Sequence, residues 1–130
     1  MASLEDVERV VLGLPGTEET TRHGNRTWKV AGKAYAWERP FSKADLKRFG
    51  DETPPDGPIL ALTVEDLAEK EAVLAARAGD GFFTIPHFDG YAAVLVQLEK
   101  ASEAVLEEAV LDAWLVHAPA DVAKAHLGSS

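Results

Sequence analysis

A chain of 130 residues with 13 basic and 22 acidic side chains, a net charge of −9 and 46% hydrophobic residues has the size and composition of one soluble globular domain over 1–130. It has no cysteine, which excludes disulfides and thiolate metal sites. The opening Met1–Asp6 is acidic and without an apolar run, and no stretch nears the ~20 apolar residues of a membrane span. The expectation is a cytoplasmic protein that shuns indiscriminate contact with nucleic acid or anionic membranes.

Ser3 and Asp6 form a helix-capping start, and Leu4, Val7, Val10, Val11 and Leu14 recur at helical spacing, predicting a helix over 4–13. Pro15-Gly16 ends it, since proline cannot continue the ladder. Residues 27–38 read as two strands around a two-residue loop at Ala31-Gly32. That loop pairs Val30 with Lys33, Trp28 with Tyr35 and Arg26 with Trp37. Trp28, Val30, Tyr35 and Trp37 then share a core-facing side, while Thr27, Lys29, Ala34 and Ala36 share the other.

Residues 40–58 are turn-rich, with one helical turn at Lys43–Arg48. A short apolar strand follows from Ile59 to Val64, and Thr63 with Asp66 starts a second helix that buries Leu67, Ala68, Leu74, Ala75 and Ala78. Phe82–Ile85 and Tyr91–Leu98 read as strands, the latter apolar throughout as in a sheet interior. Ser102 caps a third helix burying Val105, Leu106, Ala109, Val110, Ala113 and Trp114; Pro119 interrupts it before a short helix at 120–127. The order helix, three strands, helix, two strands, helix predicts an α+β two-layer sandwich, its helices packed on a mostly antiparallel five-stranded sheet. Trp28, Val30, Tyr35, Leu95 and Trp114 are its expected common core.

Signals for catalysis are few. His23, His87, His117 and His126 never fall three or four residues apart, and His87 with Asp89 offers two ligands where zinc takes three or four. No metal and no cofactor are therefore expected. Ser3, Ser42, Ser102, Ser129 and Ser130 lie at caps, in turns or in the tail, and there is no Gly-x-Ser-x-Gly elbow. Gly79-Asp80-Gly81 lacks the lysine of a phosphate loop. The expectation is a protein that is not an enzyme.

Charge is where the chain departs from the ordinary. The segment Arg22–Arg48 holds eight of the basic residues against only Glu38 and Asp45, a formal +6 inside a chain of −9. It also contains Trp28, Tyr35 and Trp37. Such a block either blunts a sheet edge or meets an anionic partner. For the second case Arg26, Lys29, Lys33, Arg39, Lys43, Lys47 and Arg48 are the candidate phosphate contacts. Arg26 also has a structural alternative, stacking on Trp37.

Leu14-Pro15-Gly16, His23-Gly24, and Trp28-Lys29-Val30-x-Gly32-Lys33-x-Tyr35-Ala36-Trp37 follow one another in the first half. The second half carries Phe82-Phe83-Thr84-x-Pro86-His87-Phe88-Asp89-Gly90-Tyr91, then Val94-Leu95-Val96, then Ala113-Trp114-x-x-x-Ala118-Pro119. Together these resemble the MmcQ/YjbR family across nearly the whole chain. The resemblance implies a small bacterial α+β domain similar to the secretion-chaperone sandwich, commonly labelled DNA-binding with a double-wing mode. It makes His23, His87 and Tyr91 motif residues of unknown role. The chain departs from the family in reading Asn25-Arg26 where many relatives have x-Pro after His-Gly, and Ala92-Ala93 before the last strand's valine. Two partner classes follow: DNA, held weakly, non-specifically and in a salt-sensitive way, or a protein, including a second copy of this chain in a chaperone-like or homodimeric module.

Overall fold

The structure, a computed structural model, describes residues 1–128; Ser129 and Ser130 lie outside the described residues. Helix α1 (Leu4–Leu12) starts on a capping box in which Ser3 and Asp6 satisfy each other's backbone N–H groups. Strands β1 (Glu18–Arg22), β2 (Asn25–Val30) and β3 (Lys33–Glu38) form a meander, followed by α2 (Lys43–Phe49) and β4 (Ile59–Thr63). Then come α3 (Leu67–Ala76), β5 (Phe82–Phe83), β6 (Ala93–Gln97), α4 (Glu103–His117) and α5 (Ala120–Gly128). The described strands make one antiparallel sheet in the order β1-β2-β3-β4-β6-β5. The α+β architecture agrees with the sequence reading, with six strands in place of five.

The additional strand is β1. Its Glu-Glu-Thr-Thr-Arg sequence is exposed along its whole length, so no apolar alternation marks it. It is an edge strand tied to β2 by the two-residue turn His23-Gly24, both residues at positive φ. The β2–β3 turn Ala31-Gly32 has the same geometry, and pairs of left-handed residues of this kind match the twist of a hairpin.

The predicted hairpin register is correct only near its turn. Val30 faces Lys33 and Lys29 faces Ala34, but Trp28 then faces Ala36 and Thr27 faces Trp37. One extra residue in β3 forms a bulge, which lets Tyr35 and Ala36 both enter the helix-side core. Trp37 is thereby turned to the opposite side of the sheet, away from Trp28, Val30 and Tyr35.

Two apolar clusters sandwich the sheet. On one side, α1, α3, α4 and α5 pack over Trp28, Val30, Tyr35, Leu60, Leu62, Val94 and Val96. Trp114 is fully buried there, and its indole N–H donates to the Pro15 carbonyl at 3.0 Å. The other side is smaller: Ile59, Ala61, Ile85, Phe88, Ala93 and Leu95 sit under Trp37, Phe41, Phe49 and Phe83. Leu95 therefore belongs to this second cluster, not to the core of Trp28 and Trp114, because it lies opposite Ala61 and Phe83 in the ladder.

Helix α2 is two turns long, where one turn was expected, since Ser42 and Asp45 build a second capping box. Helix α3 starts at Asp66, which accepts from the Glu69 N–H, while Thr63 closes β4. Its inward face is also not the predicted one. Leu67 is exposed, Val73 and Leu74 are half-buried, and the buried residue is Lys70. The apolar segments at 82–85 and 91–98 keep only two and five residues in the ladder. Thr84 and Ile85 lead into a short 3-10 turn at Pro86–Phe88, Tyr91 and Ala92 bend into β6, and a second 3-10 turn takes over at Leu98–Lys100.

A candidate binding cleft on the open side of the sheet

Turned out by the bulge, Trp37 lies beside Thr27 and Ala34 on the side of the sheet that α1 and α4 do not cover. Two walls rise from this floor. One is the segment that leaves β3 through Glu38, Arg39 and Pro40 into the cap of α2, and the other is the loop bearing His87 and Tyr91. The β1–β2 turn closes the end with Arg22, His23 and Asn25. The cleft between them measures about 570 Å³, within the ~300–1,000 Å³ typical of ligand pockets.

Each wall is held from behind. Phe88 is buried, with its ring 6.5 Å from that of Trp37 and 5.6 Å from that of Tyr91. The backbone at Phe88–Tyr91 is a type II turn, with Asp89 at φ −59, ψ 131 and Gly90 at φ +74, closed by the Tyr91 N–H donating to the Phe88 carbonyl at 3.0 Å. Buried Lys70 reaches this turn from α3, donating from Nζ to the carbonyls of Phe88 at 2.6 Å and Tyr91 at 2.8 Å. Burial pushes its ammonium pKa down, and the charge of Asp89 partly offsets that. Sequence reading missed Lys70; its only signal was a lysine in an otherwise aliphatic inward stripe.

Arg39 is fixed as well. Its guanidinium donates to Asp45 at 2.9 Å and to the Pro40 carbonyl, and stacks over Phe88 at 5.5 Å. Burial opposes the charge on Asp45, but the Ser42 N–H, the Arg39 guanidinium and the Ser42 hydroxyl outweigh it and hold the carboxyl below its usual range. Ser42, the serine of the cleft wall, uses its hydroxyl to accept the Asp45 N–H. Glu38 accepts the backbone N–H of Arg26 at 3.0 Å.

The candidate phosphate contacts do not form one group. Arg26 lies on the helix-covered side, paired with Glu19 at 3.0 Å and Glu8 at 3.4 Å, and it stacks on Trp28 rather than Trp37. Glu19 also accepts the Trp28 indole N–H, and the Arg26 hydrogen bond is the main cause of its lowered pKa. Lys33 faces the same helix side: burial first, and the Lys33 charge second, push the His117 pKa down. Arg48 joins Arg39 at Asp45, 3.9 Å away. Lys29 and Arg22 face the cleft side, and Lys43 and Lys47 are exposed on α2. Of the ten flagged residues, His23, Arg39, His87 and Tyr91 line the cleft, joined by Arg22, which had not been singled out. Among the described residues no three His, Asp or Glu side chains are grouped to hold a metal ion, and no helix is long and apolar enough to cross a membrane.

The family model of YjbR matches residues 12–116, a span that takes in every element from the end of α1 to the end of α4. The chain belongs to the YjbR family. It is similar to uncharacterized proteins of Mycobacterium bovis and Mycobacterium tuberculosis, each 45% identical over 133 residues covering 100% of this chain and 99% of the relative. A crystal structure of a Deinococcus radiodurans protein with the domain DUF419 shares the fold of this YjbR protein at a TM-score of 0.62. That likeness covers 98% of this chain and 89% of the other at 21% identity. His23, His87 and Tyr91, more than sixty positions apart in sequence at their extremes, meet in the cleft.

Proposed function

We propose that this YjbR protein is a binding protein without a reaction of its own, and that it contacts nucleic acid through the cleft and the cationic side chains around it. The observation that carries this reading is the convergence of His23, His87 and Tyr91, with Arg22 and Arg39, on one aromatic-floored cleft. Arg22 and Lys29 on the sheet, with Lys43 and Lys47 on α2, are the groups open to phosphate, since Arg26 and Arg39 already serve carboxylates. Such contacts position a ligand and carry little sequence information. The acidic remainder of the chain keeps affinity in the weak, non-specific regime.

Binding of a labelled DNA oligonucleotide followed by anisotropy tests this. With about three phosphate contacts, affinity falls roughly 40-fold between about 50 and 200 mM salt. Arg22→Glu combined with Lys43→Glu abolishes it without unfolding the chain, as both side chains are exposed. Unchanged affinity in that variant, or no binding by the parent, refutes the reading.

The second reading, a protein-partner module or homodimer, draws on the dispersal of the basic block. Lys33 on the helix side and the pairing of Arg26, Arg39 and Arg48 break up a continuous positive strip. A partner recovered after nuclease digestion, or a dimer in solution, favours it.

A further inference from the structure

We infer that the cleft receives an unpaired nucleobase, so that the ligand class within the proposed nucleic-acid reading is single-stranded rather than duplex. This rests on that reading and specifies what the cleft itself recognises.

The three tryptophans divide between the two sides of the sheet. Trp28 and Trp114 are buried in the helix-side core, where they hold the fold together. Trp37 alone is turned to the open side, and the bulge that turns it there inserts a residue into an otherwise regular hairpin. Bulges re-aim side chains next to functional sites, at the cost of a broken ladder. Tyr91 is 48% exposed, an uncommon degree for a large aromatic, and its ring stands 6.3 Å from that of Trp37 at a tilt of 33°. The two rings are already in contact, so a flat ligand lies against their exposed faces instead of between them.

Phe88 braces both rings, and Lys70 pins the turn that carries Tyr91, so the platform exists before any ligand arrives. Pre-formed aromatic surface is the part of a site that binds a π-face of any base at little ordering cost. In a duplex those faces are occupied by neighbouring base pairs, and only edges are offered in the grooves. A base therefore enters this cleft only when unpaired. Arg22, without a carboxylate partner among the described residues, stands at the cleft end to meet the attached phosphate. The imidazoles of His23 and His87 supply hydrogen-bonding groups to the base edge.

The test compares one sequence of roughly a dozen bases as a single strand and as a hairpin-free duplex, with the parent, Tyr91→Ala, Tyr91→Phe and Trp37→Ala. Thermal melts of each variant confirm the fold; Tyr91, exposed on its turn, is the variant least able to perturb it. The single strand binds the parent at least about 10-fold tighter than the duplex. Tyr91→Ala weakens the single strand by about 5-fold or more, as expected for loss of one stacking surface, while Tyr91→Phe retains it. Equal binding of both forms, with Tyr91→Ala indistinguishable from the parent, overturns base capture and leaves phosphate contact standing. Failure of every form to bind overturns the nucleic-acid reading and this inference with it.

Discussion

Lys70 concentrates several of the molecule's constraints in one side chain. A lysine is rarely fully buried unless its charge is satisfied, and here two backbone carbonyls accept from it. Lys70→Met preserves the bulk and removes both hydrogen bonds. The expected loss is about 1–3 kcal/mol in denaturant melts, from carbonyls left with fewer donors. Faster amide exchange should be confined to the Phe88–Tyr91 turn. Uniform loosening of the whole chain, with no excess at that turn, would show that the tether is not local. In the sequence this lysine differs from the exposed ones only in falling on the otherwise aliphatic stripe of α3 that carries Val73 and Leu74. Its role depends on a loop 18 positions away folding back to it, which is tertiary information. The motif histidines were visible as residue types, but their meeting depends on two separate turns.

At the level of elements, legibility followed apolar patterning. Helices α1 and α4 could be read because their apolar residues recur at a helical period, and strand β4 because it is a short continuous apolar run. Strand β1 has none, and the bulge in β3 has no signature beyond the residues it displaces, so both the strand count and the face of Trp37 escaped. Helix α2 is an element held by its cap. Asp45 closes the capping box with Ser42 and takes Arg39 and Arg48 as ion partners. Its folded-state pKa is depressed, so the unfolded chain binds the proton more tightly. The stabilisation is thus complete above the ordinary aspartate range and is lost as pH falls through the folded value. Asp45→Asn should cost on the order of 1–2 kcal/mol near neutrality. That gap between parent and variant should close as the pH is lowered from about 5 to about 2. A gap that stays constant across the range would mean the carboxylate charge contributes nothing.

The whole molecule is asymmetric about its sheet. Among the described residues four helices cover one side, and α2 and loops cover the other. Stability should therefore be stored unequally. Trp114→Ala empties a fully buried site and should cost about 3–5 kcal/mol. Phe41→Ala, at a half-buried ring on the thinner side, should cost well under half as much. Chemical denaturation of both variants checks this, and equal losses would contradict the division into a structural side and an open one. The sequence pointed to the sandwich and to the basic block, but not to this division. Charge clustering along the chain did not translate into clustering in space, because β-pairing sends alternate residues such as Arg26 and Lys29 to opposite sides.

The two tight turns His23-Gly24 and Ala31-Gly32 have a consequence in time as well as in space. Hairpins closed by two residues form on the scale of about 1–10 μs, whereas β4 meets β6 only after about thirty intervening residues have been organised. The β1–β3 meander is thus positioned to form early and the right half of the sheet to dock later. Ala31 holds a left-handed backbone that glycine adopts freely, so relieving it in Ala31→Gly should quicken refolding while leaving the unfolding rate nearly unchanged. Weakening Leu95, in the late-joining strand β6, should do the reverse and show itself mainly as faster unfolding. The floor of the cleft would then exist before its walls, and a chain still folding would already carry Trp37 on its outer side.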